Sequence, residues 1–132
     1  MTWLIRPGRA SDQAYCAQSW VRALGQLHDH ANNAIVNRLL DDPRTVVSVA
    51  CGLTDSDRIL GWVASAKVRG ARVLQYVLVR NAERRRGIGS ALLKHAGMLD
   101  GVEPILTLFE PRNGQLALSK AVTLIQPGEF LL

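Results

Sequence analysis

The residues best suited to chemistry lie between Arg84 and Ser90, where three arginines precede two glycines separated by one isoleucine. Glycine tolerates left-handed backbone angles, and because it has no side chain a ligand can approach the main chain closely. The stretch leads into a helical pattern, and the first turn of a helix offers free N–H groups and the positive end of a dipole. These features together predict an anion site, and a pyrophosphate fits it best.

Two common phosphate motifs do not explain this loop. A Walker loop would need Gly-Lys followed by Ser or Thr, and the third glycine of a dinucleotide fingerprint is replaced by Leu92. The six residues 84–89 (RRRGIG) instead match the pattern Arg/Gln-x-x-Gly-x-Gly/Ala. With a hydrophobic strand before it and an amphipathic helix after it, the segment resembles the acyl-CoA loop of the GNAT N-acyltransferase superfamily. An ordinary helix N-terminus beside a basic surface patch is the alternative.

The resemblance implies acetyl-CoA as co-substrate and indicates where it would lie. In the family, the strand before the loop and the following strand splay apart at their ends. The pantetheine arm lies in that gap and bonds the unpaired main-chain groups, while the loop N–H groups hold the pyrophosphate. The residues implied to bind acetyl-CoA are Val77, Leu78, Val79, Arg84, Arg85, Arg86, Gly87, Ile88, Gly89, Ser90 and Asn113.

Catalysis in the family is a direct attack of a primary amine on the thioester within a ternary complex. It needs a neutral amine, a donor to the developing oxyanion and a proton for the departing thiolate. Family members often supply that proton from a tyrosine, but Lys120 occupies that position here. The candidates are therefore Tyr76 or Lys120 as acid, Glu110 as base and the backbone N–H of Leu78 as oxyanion donor. Each side chain also has a plainer interpretation: Tyr76 as a half-buried strand residue, Glu110 as a surface ion-pair partner and Lys120 as a solvated helix residue.

Strand alternation predicts the direction of the Tyr76 side chain. Residues two apart in a strand share a face, which groups Tyr76 with Leu74 and Leu78 and places residues 75, 77 and 79 on the other face. Solvent that reaches the sulfur through a short C-terminal wall is slightly favoured over Tyr76 as the proton source.

The net charge of +5 is concentrated in Arg80 and the three loop arginines. A nucleic-acid site would interleave such a patch with exposed aromatic residues or carry it on a recognition helix, and the sequence shows neither. Since CoA is itself a polyanion, a small-molecule ligand accounts for the cluster, and nucleic-acid binding is disfavoured. We expect Glu83, within the loop, to pair with a neighbouring arginine.

The elements that must position these residues predict an α+β, three-layer fold. It is a mixed, mostly antiparallel twisted sheet of six to seven strands flanked by about four helices, as in the family. The predicted strands are residues 2–6, 45–51, 58–68, 73–79 and 105–109, with one or two more between 122 and 132. The predicted helices begin near Gln13 and cover 32–40, 88–99 and 113–121. A right-handed crossover should place strand 105–109 parallel to strand 73–79.

The length of 132 residues and the 48% hydrophobic content predict a single domain spanning residues 1–132. The chain has no apolar run of the roughly 20 residues that span a bilayer and no signal-peptide pattern, so we expect a cytoplasmic protein without membrane contact. Cys16 and Cys51 are expected to be buried free thiols. His28 and His30 are too poorly spaced to share a helix face, so we expect a solvated loop and no metal site.

The acceptor is the least determined part of the prediction. The short C-terminal end suggests an open site that suits a protein N-terminus or lysine, and a small-molecule amine stays open. In the family, the segment between the first two helices, here residues 26–30, overlies the acceptor. Leu124 and Ile125 replace a family Gly-Phe, so a catalytically silent module that binds CoA or a partner protein is the alternative. A homodimer is also possible.

Overall fold

A computed structural model describes residues 2–23, 30–68, 70–98, 105–107 and 122–124, with side chains for 2–23, 33–68 and 70–98. Within these residues the α+β fold has three α-helices and six strands. The helices are α1 (Gln13–Ala23), α2 (His30–Asp41) and α3 (Ile88–His95). The strands are β1 (Trp3–Pro7), β2 (Thr45–Gly52), β3 (Ile59–Val68), β4 (Ala71–Val79), β5 (Ile105–Thr107) and β6 (Val122–Leu124).

The strands form one mixed sheet in the order β1-β2-β3-β4-β5-β6. The first four strands pair antiparallel with their neighbours, with β2, β3 and β4 consecutive in sequence, and β5 and β6 each add in parallel. The predicted parallel placement of the fifth strand beside the strand before the loop is confirmed for β5. The predicted helix at 113–121 lies outside the described residues.

Two apolar clusters lie on opposite faces of this sheet, with helices covering each. α1 and α2 bury one face, where Trp20 and Leu39 are fully enclosed against β2 and β3. α3 buries the other face through Ile88 and Leu92, which are four residues apart and therefore share one side of the helix. The described elements thus form helix, sheet and helix layers.

The predictions for the histidines and the cysteines can be compared with the structure. His30 begins α2 rather than belonging to a loop, so that part of the loop prediction is wrong, and His28 lies outside the described residues. Cys16 and Cys51 are buried free thiols, as predicted, and burial raises the pKa of Cys16 to about 12.

The described residues contain no group of His, Cys, Asp and Glu side chains able to hold a metal. No helix among them is long and apolar enough to span a bilayer.

β4 carries a bulge in its middle. Ala64 of β3 pairs with Tyr76 and Ser65 pairs with Leu74, which leaves Gln75 without an opposite residue. A bulge inserts one extra residue into one strand, so the residues on either side of it change face relative to each other.

The bulge overturns the predicted alternation along β4. Leu74 packs with the α3 cluster, whereas Tyr76 and Leu78 pack with the α1 and α2 cluster. The Gln75 side chain is 1% exposed and donates its amide to the Thr45 hydroxyl at 2.9 Å. That hydroxyl in turn donates to an α2 carbonyl, so Gln75 lies on the α1 and α2 face as well. The predicted faces of Leu74 and Gln75 relative to Tyr76 are therefore wrong, because alternation assumes an unbroken pleat.

A buried ion pair connects β1 to the start of α1. Arg6 Nη1 lies 2.7 Å from Asp12 Oδ2, and both side chains are 8% exposed. The same carboxylate oxygen accepts the Arg9 backbone N–H at 2.8 Å, and Arg6 also donates to the Ser56 carbonyl oxygen at 2.9 Å. The hydrogen bond between the pair lowers the pKa of Asp12 and raises the pKa of Arg6.

Candidate functional site

The N-terminus of α3 presents free backbone donors. Gly87 is the N-cap, with a left-handed φ of 79°, and no side chain caps the helix. The first N–H bonded within the helix is that of Ala91, which donates to the Gly87 carbonyl oxygen at 3.0 Å. The N–H groups of Ile88, Gly89 and Ser90 therefore have no partner within the helix and point towards its positive end.

The space around this helix end is open. A methyl group on the Cα of Gly87 would have no heavy atom within 4 Å, although its backbone angle disfavours any side chain. At Gly89 a methyl group would meet Val79 Cγ2 at 3.4 Å, an ordinary contact. Arg85 also has a positive φ, of 67°, which is uncommon for a residue other than glycine. The loop is thus wound so that its main chain faces the open space.

Arg86 stabilises the fold of the loop. Arg86 is ion-paired with Glu83 and also donates to the Thr2 hydroxyl. Glu83 is 7% exposed and holds a second partner, Arg58, at 3.3 Å. The predicted pairing of Glu83 with a neighbouring arginine is confirmed, and this pairing joins the loop to β1 and to the start of β3.

The other two loop arginines keep their charge available. The Arg84 Nε donates to the Val79 carbonyl oxygen at 3.2 Å, and its side chain is otherwise exposed. Arg85 is exposed too. Among the described residues neither has a carboxylate partner, so both add positive potential beside the α3 N-terminus.

The backbone groups at the end of β4 alternate between its two edges. Arg80 donates its backbone N–H to a β3 carbonyl oxygen at 2.9 Å. Hydrogen-bonded pairs recur every second residue in an antiparallel ladder, which makes Leu78 and its partner Trp62 the next such pair. The Leu78 N–H therefore lies on the β3 side, and the N–H and C=O groups of Val77 and Val79 face the opposite edge.

That opposite edge is only partly covered. In the described chain, β5 pairs with β4 through Arg72, Val73 and Leu74, all before the bulge. Beyond the bulge, no described strand pairs with Val77 or Val79 on this side. Apart from the Val79 carbonyl oxygen, which accepts from Arg84 Nε, the backbone groups on this edge have no described partner, and the edge runs towards the free donors of α3.

The candidate acid Tyr76 is part of an aromatic cluster. Its ring stacks on Trp20 at 5.4 Å with an interplanar angle of 10°, and lies 5.3 Å from the ring of Trp62. This packing agrees with the interpretation of Tyr76 as a half-buried strand residue and leaves its proposed catalytic role a prediction. The other predicted site residues, Glu110, Asn113 and Lys120, lie outside the described residues.

A cavity of about 310 Å³ between α1 and the end of β4, here called the α1–β4 cavity, was not predicted. Its sequence signal is a polar face of α1 with spacing i, i+3, i+4 and i+7. Its lining residues are Tyr15, Gln18, Ser19, Arg22, Ala23, Leu78, Arg80 and Asn81.

Comparison with known proteins bears on both the sequence and the fold. A family model described as "Acetyltransferase (GNAT) family" matches residues 12–96, a stretch that includes α1, β4, the glycine loop and α3. Among curated proteins, none matches the chain.

Several solved structures share the fold. A possible acetyltransferase from Clostridium difficile 630 has a TM-score of 0.59 and 19% identity, covering 86% of this chain and 84% of its own. An aminoglycoside N-acetyltransferase in complex with CoA has a TM-score of 0.57 and 17% identity, covering 84% and 79%. A ribosomal-protein-alanine N-acetyltransferase from Brucella melitensis has a TM-score of 0.55 and 19% identity, covering 74% and 71%. At these identities the likeness establishes the fold.

Proposed function

The chain belongs to the GNAT acetyltransferase family, and we propose that it transfers the acetyl group of acetyl-CoA to a primary amine by direct attack. The main support is that the edge of β4 past its bulge, which no described strand covers, runs towards the free N–H groups of α3. A strand edge suits an extended arm with amide groups, and a helix N-terminus suits a pyrophosphate. Acetyl-CoA carries both in sequence.

The pyrophosphate would lie against the N–H groups of Ile88, Gly89 and Ser90, in the open space beside Gly87. Hydrogen bonds to a charged group each contribute about 1.5–3 kcal/mol. Arg84 and Arg85 add attraction that salt screens, because both are exposed. Since Arg86 is held by Glu83, we assign it to shaping the loop rather than to phosphate contact.

The pantetheine arm would bond the backbone of Val77 and the N–H of Val79, which face the edge that no described strand covers. The Val79 carbonyl oxygen already accepts from Arg84 Nε. The orientation of the β4 backbone also changes which N–H group can bind the oxyanion. Because the Leu78 N–H lies on the β3 side, the N–H of Val77 or Val79 is the better placed donor. Leu78 remains important through its side chain, which lines the α1–β4 cavity.

The reaction is balanced without a further reagent. The amine nitrogen forms a bond to the thioester carbon, the carbon–sulfur bond breaks and the electron pair leaves with sulfur. The amine loses one proton and the thiolate gains one, which yields the amide and free CoA. Because a thiol titrates near pH 8.5, a positioned acid would raise the reaction rate only about 10²-fold. We therefore favour solvent over Tyr76 as the source of the proton that the thiolate takes up.

Calorimetry with acetyl-CoA tests the placement of the binding site. Gly89→Val should weaken binding at least about tenfold, since a branched side chain would fill the space next to the free N–H groups. Lys94→Val is the matched control, because it puts the same side chain at an exposed position of α3 away from its N-terminus. Unchanged affinity in a folded Gly89→Val variant would rule the placement out.

Turnover is tested by following thiol release with a broad panel of amines. An acetyltransferase releases CoA when an acceptor is present, whereas a silent binding module holds CoA and releases none with any amine. The second result would leave the binding site standing and reject the enzyme assignment.

A further inference from the structure

The α1–β4 cavity has the volume of a small ligand site, and most of its described lining residues are polar. Its volume of about 310 Å³ lies at the lower end of the range for such sites. Tyr15, Gln18, Ser19 and Arg22 reach it from one face of α1. Ser19 is fixed in position, because its hydroxyl accepts the indole N–H of Trp62 at 3.0 Å.

The described charge in this cavity has one sign. Arg22 and Arg80 line it, and none of its described lining residues carries a carboxylate. Burial raises the pKa of Tyr15, and the nearby positive charges of Arg80 and Arg22 oppose that rise. The one side-chain contact described for Arg80 is a long hydrogen bond of 3.4 Å to the Ile59 carbonyl oxygen.

These two arginines, like Arg84 and Arg85, lack the carboxylate partner that several other arginines in the described part of the chain have. Arg6 and Arg86, for example, are each held by a buried carboxylate. Neither Arg22 nor Arg80 pairs with any described carboxylate. A guanidinium that lines a cavity without a carboxylate can take a carboxylate or phosphate in a two-point contact.

We propose that the α1–β4 cavity binds an anionic group of the acceptor, so that the enzyme prefers amines that also carry a carboxylate or phosphate. The inference rests on the proposed acetyl transfer, since an acceptor exists only if transfer occurs. It also predicts discrimination against polycationic amines, because two nearby positive charges repel them.

The position of the cavity favours the acceptor over CoA as the source of the anion. The side chain of Leu78, which lines the cavity, packs on the α1 and α2 face of the sheet, whereas α3 packs on the other face. The CoA pyrophosphate is already accounted for by the free N–H groups of α3 with Arg84 and Arg85. A molecule that reaches the thioester from the α1 side would pass through the cavity.

The test compares amines in matched pairs that differ by one anionic group. Suitable pairs are glycyl-glutamate with glycyl-glutamine, each with its C-terminus amidated so that only the glutamate side chain differs in charge, and phosphoethanolamine with ethanolamine, with spermidine as the polycation. The wild type should have a kcat/KM at least about tenfold higher for the anionic member of a pair. In the double variant Arg22→Gln, Arg80→Gln this preference should disappear while the affinity for CoA stays within about twofold. Arg38→Gln, an exposed arginine of α2 outside the cavity, is the control.

Binding gives a second readout that does not need turnover. Phosphoethanolamine and glycyl-glutamate, titrated calorimetrically into the CoA-saturated wild type, should bind, and the double variant should lose that binding. A higher affinity for glycyl-glutamate than for phosphoethanolamine, or the reverse, identifies whether the site takes a carboxylate or a phosphate.

Three results would overturn the proposal: equal or better use of the neutral members, no binding of either anionic probe, or a loss of CoA affinity in the double variant as large as the loss of acceptor preference. The last would assign the two arginines to a CoA phosphate. Failure of the proposed function is seen separately, as a wild type that neither binds acetyl-CoA nor releases thiol with any amine.

Discussion

Gly87→Ala is the most informative single substitution, because the chain contains a matched control for it. Gly87 and Gly70 have nearly the same backbone angle, with φ of 79° and 81°. At both positions a methyl group would meet no heavy atom within 4 Å. The cost of an alanine is therefore the cost of the left-handed angle alone, about 1–2 kcal/mol at either site.

The two variants should lose similar stability and differ only in ligand binding. Gly70 lies in the turn between β3 and β4, at the opposite end of β4 from the glycine loop, so Gly70→Ala should leave the affinity for acetyl-CoA within about twofold. At Gly87 the strain is relieved by moving the loop, which misplaces the N–H groups of the first turn. Loss of one such hydrogen bond, at about 1.5–3 kcal/mol, weakens binding about 10- to 150-fold.

Chemical denaturation measures the first quantity and calorimetry with acetyl-CoA the second. The reasoning is refuted if the two alanine variants bind acetyl-CoA equally well, or if Gly87→Ala loses affinity only in proportion to an unfolded fraction. A Gly70→Ala variant that loses as much affinity as Gly87→Ala would also refute it.

Three further predictions concern other parts of the molecule. Asp12→Asn should destabilise the fold by about 3–5 kcal/mol, since it leaves a buried arginine without its carboxylate partner. Because folding lowers the pKa of Asp12, the wild type should hold this stability above about pH 4 and lose it as the pH falls through the folded-state pKa, so in urea titrations the stability of the variant should depend less on pH over this range. Tyr76→Phe should keep turnover within about threefold, and a loss of tenfold or more in thiol release by a folded variant would assign the proton to Tyr76. Arg84→Ala should weaken acetyl-CoA binding more at low than at high salt, because salt screens an exposed charge. Arg86→Ala should also lower the melting temperature, because Arg86 supports the loop through Glu83. Equal melting temperatures of the two variants would contradict these separate roles.

Much of the fold could be predicted because it follows from local patterns. The β-branched run of β4, the two glycines and the apolar spacing of α3 each depend on neighbours in sequence. The pairing of Glu83 with an arginine was predictable for the same reason, since Arg86 is three residues away.

The bulge at Gln75 could not be predicted, because it depends on how β4 aligns with β3 and not on β4 itself. This one residue decided the faces of Leu74 and Tyr76 relative to each other. The α1–β4 cavity was missed for a different reason. The polar face of α1 is visible in the sequence, but only the tertiary fold brings it to Arg80 and turns a solvated surface into a lined cavity.

The central claim is that acetyl-CoA lies along the edge of β4 that no described strand covers and ends at α3. Amide hydrogen exchange, read residue by residue by NMR with and without acetyl-CoA, tests it most directly. The account predicts that the amides of Val77 and Val79 and of residues 88–90 become protected on binding, while that of Leu78 is protected already without ligand. Saturating acetyl-CoA that leaves these amides unchanged, or protects Leu78 instead of its neighbours, would contradict the account.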